Sequence, residues 1–174
     1  EFVVEQLDKG LIDFGIVFGQ VDQTRYNSLK MPTKDIWGVL MRRDSALAQK
    51  ETIAPEDLWD KPLIISHQRN QGKELSAWMK RDISKLNVVA TYNLLFNASL
   101  LVDEGLGYAI GFDKIINITE NSSLCFRPLQ PNIEIEMSLV WKKYQIFTKA
   151  AEQFIKKIEE MKAASPTDRG SAAL

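Results

Sequence analysis

Apolar residues follow two patterns along the chain: short continuous runs and stripes at helical spacing. The runs predict strands buried in a sheet, at 12–18, 63–66, 86–91 and 106–112. Less regular extended segments are predicted at 26–31, 36–41, 125–129 and 133–141. The stripes predict helices at 1–9, 72–83, 94–102 and 146–161. Strands that alternate with helices are typical of an α/β fold with a largely parallel sheet.

Prolines and glycines set the expected ends of these elements. The segment 32–35, which starts with Pro32, is expected to separate two strands, and Pro55 to open a short helix at 54–59. Gly105 stands where a left-handed residue would end a helix. Residues 163–174 are rich in Ala, Ser, Pro, Thr and Gly and are predicted to be a disordered tail. Since the chain opens in the middle of a helical pattern, we expect further sequence before Glu1.

The charge balance argues against a module that binds nucleic acid by itself. The 174 residues include 22 Lys and Arg against 23 Asp and Glu, a formal net charge of −1. Domains that hold duplex DNA alone usually carry a basic surplus, because neutralisation of phosphates dominates their affinity. DNA is therefore not expected to be a direct partner of this chain.

Rare residues limit the chemistry further. Cys125 is the single cysteine and His67 the single histidine, so an internal disulfide, a multi-ligand metal site and a Ser/His/Asp triad are not expected. No cofactor is expected, and the chain is not predicted to be an enzyme. No apolar run approaches the roughly 18 residues of a membrane span, and the opening residues lack a signal-peptide pattern. A cytoplasmic location is therefore expected.

Candidate ligand contacts follow the predicted strands. Ligands of open α/β sheets collect beyond the carboxyl ends of the strands, where helix N-termini present free N–H groups. Four turns meet that description, at 18–20, 66–68, 91–93 and 111–113, and they supply the candidate residues Phe18, Gly19, Gln20, Ser66, His67, Gln68, Thr91, Asn93 and Phe112. The alternative is that the Ser, Thr and Asn residues only cap helices, and that His67 is a surface histidine without a ligand.

Glycines 105, 107 and 111 do not predict a nucleotide site. The dinucleotide fingerprint follows a strand and opens a helix, whereas this segment closes a predicted helix and enters a strand. The glycines are better interpreted as a helix stop and a close approach of backbones.

Four segments, in order, resemble the effector-binding domain of LysR-type transcriptional regulators. They are the helix-to-strand junction at 6–17, the strand and following residues at 39–48, the helix and strand at 53–65 and the helix-to-strand turn at 101–110. Ser45 and Ala46 stand where that family more often has His-Pro. The resemblance covers about residues 1–162.

The resemblance implies a type 2 periplasmic-binding-protein-like fold, with two α/β lobes and a ligand cleft between them. Lobe I would comprise 1–42 and 113–162, and lobe II 43–112. Turns 18–20 and 66–68 would line the cleft, while Thr91, Asn93 and Phe112 occupy positions that vary in the family. The family's DNA-binding domain and the first strand–helix–strand of lobe I have no counterpart in this sequence.

Three functions follow from these observations. The first is the sensory portion of a regulator that binds a small effector, for example one bearing a carboxylate. Homo-oligomerisation and contacts with DNA and RNA polymerase would belong to the full-length parent. The second is the solute-binding protein of a transporter, which shares the two-lobe architecture. The third, a small α/β enzyme, would need a catalytic constellation that one histidine and one cysteine make hard to assemble.

Overall fold

The computed structural model describes residues 2–18, 21–67 and 75–164. The chain forms two compact units, one comprising Glu1–Lys34 with Ile135–Leu174 and the other Asp35–Glu134. These bounds differ from the lobe boundaries at 42/43 and 112/113, because residues that follow position 112 pair with strands of the second unit. The lobe boundaries inferred from the family resemblance therefore stay a prediction.

The first unit contains helix α1 (Phe2–Asp8), strand β1 (Gly15–Phe18), the first part of β2 (Tyr26–Arg42), most of β7 (Glu134–Lys142) and helix α4 (Lys149–Ala164). β1 pairs antiparallel with β7, from Gly15 opposite Val140 to Phe18 opposite Met137. The prediction of a doubly buried parallel strand at 12–18 is therefore wrong. The strand is shorter and alternates between half-buried and exposed positions, as a strand with one solvated face does.

Two clusters hold this unit together. Leu7, Tyr26 and Val140 are buried at its centre. Phe14 packs its ring on those of Phe147 and Phe154, at centroid distances of 5.2 and 5.1 Å. The apolar stripe that predicted the last helix therefore includes the aromatic residues that pack against Phe14. The helix continues to Ala164, two residues into the predicted tail, and residues 165–174 lie outside the described part of the chain.

β2 is one strand of 17 residues, so the prediction of two strands separated by Pro32 is wrong. The reason lies in the hydrogen bonding. The pairing of β2 with its neighbours in the second unit begins at Trp37 and Gly38, so exposed Pro32 stands outside those ladders and its missing N–H costs nothing there. Its fixed φ angle is compatible with extended backbone.

The second unit contains the rest of β2, strands β3 (Leu63–Ser66), β4 (Val88–Tyr92), β5 (Tyr108–Phe112) and β6 (Leu124–Pro128), and helix α3 (Leu95–Asp103). Residues 75–79 form helix α2 as far as it is described. Short 3₁₀ helices lie at Ala46–Gln49, Pro55–Leu58 and Ile83–Lys85. The second of these confirms the helical turn predicted at Pro55.

The sheet of the second unit is mixed, with the order β6-β2-β5-β3-β4. β3 runs parallel to both β4 and β5, whereas β2 pairs antiparallel with β5 and with β6. The α/β class is confirmed, but the expectation of a largely parallel sheet is not, since only the three strands around β3 are parallel.

Helix α3 covers one face of this sheet. Its buried residues Leu95, Ala98 and Val102 pack with Leu40 and Ile64 in one apolar cluster. Gly105 adopts a φ of +79° just after the helix, which confirms its predicted role as a left-handed stop. Within the described ranges, no helix is long and apolar enough to cross a membrane.

Candidate functional site

The three parallel strands of the second unit end at one edge of the sheet. Ser66, the last residue of β3, pairs with Tyr92, the last residue of β4, and the N–H of His67 donates a 2.9 Å hydrogen bond to the Tyr92 carbonyl. β5 is aligned with β3 through Ile64 and Ala109, so Phe112 reaches the same edge. The structure therefore brings together Ser66, His67, Thr91, Asn93 and Phe112, as the carboxyl ends of parallel strands must.

These side chains do not all lie on one face of the sheet. Successive side chains of a strand alternate between faces. Ser66 and Tyr92 share the face that α3 covers, because they continue the rows of Ile64 and Ala90, which pack against α3. Thr91 falls on the opposite face.

Phe112 is on that opposite face as well. It lies three residues beyond Ala109, a residue on the α3 face, and it is opposite Trp37 of β2. Its ring meets the Trp37 indole edge-on, with centroids 4.8 Å apart. Phe112 is 6% exposed and Trp37 is 1% exposed. On this face, the end of the sheet is therefore covered by two buried aromatic rings packed against each other.

Asp113 fixes the end of β5 beside this aromatic pair. Its carboxylate accepts a 2.9 Å hydrogen bond from the N–H of Ile36, and its own N–H donates to the Ile36 carbonyl at 3.0 Å. Burial, together with the nearby Asp113 carboxylate, raises the pKa of Asp35. Within the described part of the chain, the buried indole Nε1 of Trp37 has no hydrogen-bond partner.

Tyr92 is a site residue that sequence reasoning left out, although it stands between Thr91 and Asn93. Its hydroxyl donates a 2.7 Å hydrogen bond to the carbonyl of Ile110. Burial raises the pKa of this phenol, so it stays a neutral donor. A Cβ at Gly111 would stand 2.9 Å from the hydroxyl, so glycine makes room for it. The sequence signals that could have identified Tyr92 are the tyrosine itself, in the turn at 91–93, and Gly111, in the turn at 111–113.

The start of α3 tests the capping alternative for the turn at 91–93. The N-cap residue is Leu94, which makes no side-chain capping hydrogen bond. Asn93 is exposed and precedes the cap, and Thr91 is exposed as well. The capping alternative is therefore not realised at these two residues. The first N–H groups of α3 have no intrahelical acceptor, as in any helix, and they come directly after Asn93 and Leu94 in the chain.

The chemistry offered by this edge is hydrogen bonding. Ser66 is half-buried, while His67 and Asn93 are exposed, and together they present a hydroxyl, an imidazole and an amide. No group of three or more His, Cys, Asp or Glu residues that could hold a metal ion occurs in the described ranges. Cys125 is a buried free thiol.

The first predicted turn belongs to the other unit. Phe18 ends β1 there and is 40% exposed. Gly19, Gln20 and Gln68 lie outside the described residues. The contribution of these four residues to a ligand site stays a prediction.

Comparisons with known proteins agree with the fold. A family model described as LysR substrate binding domain matches residues 1–163. A curated relative, the uncharacterized HTH-type transcriptional regulator YfeR of Shigella flexneri, is 25% identical over 155 residues, which cover 87% of this chain and 49% of the relative. The chain thus spans about half the length of that relative.

Solved structures of LysR-family proteins share the same architecture. The regulatory domain of CcmR from Synechocystis PCC6803, in complex with 2-PG, has a TM-score of 0.78 at 16% identity, covering 92% of this chain and 78% of that one. The effector binding domain of QuiR, in complex with shikimate, also has a TM-score of 0.78 at 16% identity, over 92% and 76%. A putative LysR family regulator from Pseudomonas aeruginosa has a TM-score of 0.74 at 14% identity, over 93% and 58%.

The family match covers nearly the whole chain and removes the alternative of a transporter's solute-binding protein, because the matching family is that of LysR-type regulators. The type 2 periplasmic-binding-protein-like fold expected from four short segments is confirmed by the same comparisons. The chain belongs to the LysR substrate-binding domain family.

Proposed function

We propose that this chain is the effector-sensing portion of a LysR-type transcriptional regulator. It binds a small metabolite at the carboxyl edge of β3, β4 and β5, and the metabolite changes which arrangement of the protein is populated. A ligand can shift such an equilibrium only by as much as its affinities for the two arrangements differ.

One observation carries the location of the site. Ser66, His67 and Asn93 come from two separate turns, yet the parallel register of β3 and β4 places them side by side next to the start of α3. The His67 N–H to Tyr92 carbonyl hydrogen bond fixes the two turns together. A preorganised group of donors needs little ordering when a ligand binds, which favours affinity.

The donors indicate the chemical class of the effector. A hydroxyl, an imidazole, a carboxamide and helix N-terminal N–H groups all donate to oxygen, so a small molecule with carboxylate or hydroxyl oxygens fits this edge. The solved complexes of CcmR with 2-PG and of QuiR with shikimate support a small-molecule effector. Phe18, Gly19, Gln20, Gln68, Thr91 and Phe112 remain candidates for further contacts.

The partners of the whole regulator follow from family membership. Promoter DNA and RNA polymerase would be bound by a longer parent protein, as a homo-oligomer, in the cytoplasm. This chain has a net charge of −1, in keeping with a sensor rather than a DNA-binding module. We propose no catalysis, since the family is that of transcriptional regulators and the edge presents groups suited to hydrogen bonding.

Thermal unfolding against a panel of small carboxylates, amino acids and hydroxy acids tests the proposal. A ligand that binds only the folded chain raises the unfolding midpoint in proportion to the logarithm of its concentration. The hit is then titrated calorimetrically into the wild-type chain, Ser66→Ala and Asn93→Ala. We expect each substitution to weaken binding by about fivefold to tenfold, which is the effect of one lost hydrogen bond.

Ser84→Ala is the matched control. Ser84 is an exposed serine in the Ile83–Lys85 turn, which leads into the opposite, amino end of β4. Binding should be unchanged in this variant. A hit whose affinity is the same in wild type, Ser66→Ala and Asn93→Ala would overturn the site, and a panel without a hit would overturn the effector class.

A further inference from the structure

A cavity of about 550 Å³ lies within the second unit, beneath the irregular segment 113–118. Leu40, Leu95 and Phe126, which line it, belong to or pack against the apolar cluster under α3, and Phe112, from the other face of the sheet, contributes to the lining as well. Cys125, Phe126 and Arg127 of β6, the edge strand farthest from β4 in this sheet, are also among the lining residues. Small-molecule sites in proteins commonly have volumes of about 300–1,000 Å³.

Polar and apolar atoms contribute equally to the walls of this cavity, and leucine, isoleucine and phenylalanine side chains form most of the apolar part. Leu40 and Phe126 are register partners in the β2–β6 pair, so their side chains lie side by side on one face of the sheet. Leu95 comes from α3. Ile116 and Ile118 of the covering segment complete the lining and pack against the same cluster. Side chains around a void lose dispersion contacts on the empty side, so an apolar body of suitable size gains them on entry.

Two cations border the apolar walls. The guanidinium of Arg43 donates to the carbonyl oxygens of Thr119, Ser122 and Leu124, at 3.0, 2.9 and 3.3 Å. Neutral acceptors hold the side chain in place without cancelling its charge, and Arg43 has no ion pair with a described carboxylate.

Lys114 is the second cation. Its Nζ lies 3.2 Å from the carboxylate of Asp113, which is already a hydrogen-bond acceptor for the Ile36 N–H. Lys114 has a φ of +62°, a left-handed conformation that is uncommon for a residue with a side chain. Arg127 also lines the cavity, but all three of its guanidinium nitrogens donate to the carbonyls of Ala48, Lys50 and Phe126, whereas the carbonyl bonds of Arg43 use only Nε and Nη2. Arg43 and Lys114 together outweigh Asp113, so the rim carries net positive charge.

We propose that this cavity is a second small-molecule site, which takes an aromatic or branched aliphatic carboxylate. The apolar body lies among Leu40, Leu95 and Phe126, and the carboxylate meets Arg43 and Lys114. Phe112 borders this cavity as well as the carboxyl edge of the parallel strands, but the donors of the two sites are different residues. The second site therefore stands whether or not an effector binds beside Ser66.

The probes are 1-naphthoate and its neutral counterpart 1-naphthamide, titrated calorimetrically into the 174-residue chain. Both share the aromatic body, so their difference reports the charge alone. We expect saturable binding of 1-naphthoate, about fivefold tighter than that of 1-naphthamide, because partly exposed charges contribute modestly. Lys114→Gln should weaken the binding of 1-naphthoate and leave the affinity for 1-naphthamide unchanged.

Ile118→Trp is designed to fill the cavity and should weaken both probes by at least about tenfold. Chemical-shift changes of the Ile116 and Ile118 methyl groups in the wild-type chain locate the probe without any substitution, which keeps the test valid if Ile118→Trp does not fold. Ser66→Ala, at the other site, should bind both probes as the wild type does.

Three results would overturn this second site: no saturable binding of 1-naphthoate, methyl shifts confined to residues away from Ile116 and Ile118, or binding lost in Ser66→Ala and kept in Ile118→Trp. The last result would move the probe to the carboxyl edge and would support the effector site instead. A failure of the effector panel with normal naphthoate binding would contradict only the effector site.

Discussion

The hydroxyl of Tyr92 donates a 2.7 Å hydrogen bond to the carbonyl oxygen of Ile110. Tyr92 ends β4 and Ile110 lies in β5, and these two strands are separated by β3. The side chain therefore reaches across the end of the shorter middle strand, just where Ser66 leaves the sheet. This hydrogen bond connects the ends of the strands that carry the candidate effector-binding residues.

Tyr92→Phe should lower the free energy of unfolding by about 1 kcal/mol, since a buried carbonyl loses its donor while the ring keeps its packing. The change is measured by urea denaturation. Exposed Tyr144, substituted likewise by Phe, is the control and should have no effect. Equal stabilities of Tyr92→Phe and the wild type would show that the hydrogen bond contributes nothing.

Gly38→Ala should destabilise the second unit, because a Cβ at this position would stand 2.2 Å from Cζ of Phe126 and 2.5 Å from the carbonyl oxygen of Arg127. Backbone cannot move aside cheaply, so we expect a loss of about 3 kcal/mol by denaturant unfolding. Gly10→Ala is the comparison, at a site with open space and a φ of +68°, and should cost only about 1 kcal/mol. A smaller loss for Gly38→Ala than for Gly10→Ala would contradict the close β2–β6 approach.

Asp57 gives the second unit a predictable dependence on pH. Burial acts to raise the pKa of this carboxyl, but hydrogen bonds from Lys50 and from the Ala54 N–H outweigh it, and the net pKa is lowered below 3.8. A lowered pKa in the folded state means that the stabilisation is complete above about pH 4 and is lost as the pH falls through the folded-state value.

Asp57→Asn should therefore reduce the free energy of unfolding by about 1 kcal/mol at pH 7. The difference from the wild type should shrink as the pH falls below 3.8, the value for an unperturbed aspartate. Urea unfolding at a series of pH values measures it. A difference that stays constant down to pH 2.5 would show that Asp57 acts by packing and not by charge.

In the first unit, the pKa of Asp8 should depend on its hydrogen bond with Tyr26. The phenol of Tyr26 donates a hydrogen bond of 2.5 Å to the Asp8 carboxylate, and this bond is the main cause of the lowered pKa of Asp8, with Arg25 adding to it. Tyr26→Phe should raise the pKa of Asp8 towards its ordinary value, measured from the carboxyl carbon shift by NMR. Stability near pH 3 should fall less steeply in this variant, since less of it depends on the ionised carboxylate. An unchanged pKa would assign the shift to Arg25 instead.

The outer face of α3 should mediate self-association. Phe96 and Leu100 are 63% and 56% exposed and lie four residues apart, on one side of the helix. An exposed apolar stripe of this kind favours association. We expect concentration-dependent sedimentation of the wild-type chain and a monomer for the Phe96→Ser, Leu100→Ser double variant. Val89→Ser removes a single exposed apolar residue elsewhere and should sediment as the wild type does.

The sequence by itself determined whether most of the longer segments of this protein form helix or strand. Burial runs and helical stripes predicted β3, α3 and α4, and Gly105 was placed correctly as a left-handed stop. The strand-end rule placed Ser66, His67, Thr91 and Asn93 at the carboxyl ends of neighbouring strands before any pairing was known, and their contact with a ligand stays a prediction. These features are local, since they depend on side-chain periodicity and on the backbone angles that single residues allow.

The tertiary structure decided which segments pair and what lies between them. β1 lies antiparallel to β7, with Gly15 opposite Val140, although its apolar run suggested a buried parallel strand. Pro32 was expected to break a strand and instead lies within β2. The cavity lined by residues 114–118 likewise has no sequence signature. The physical reason is that a residue's own pattern reports how much of it is buried, whereas pairing partners and voids depend on segments more than a hundred positions away in the chain, as Gly15 and Val140 are.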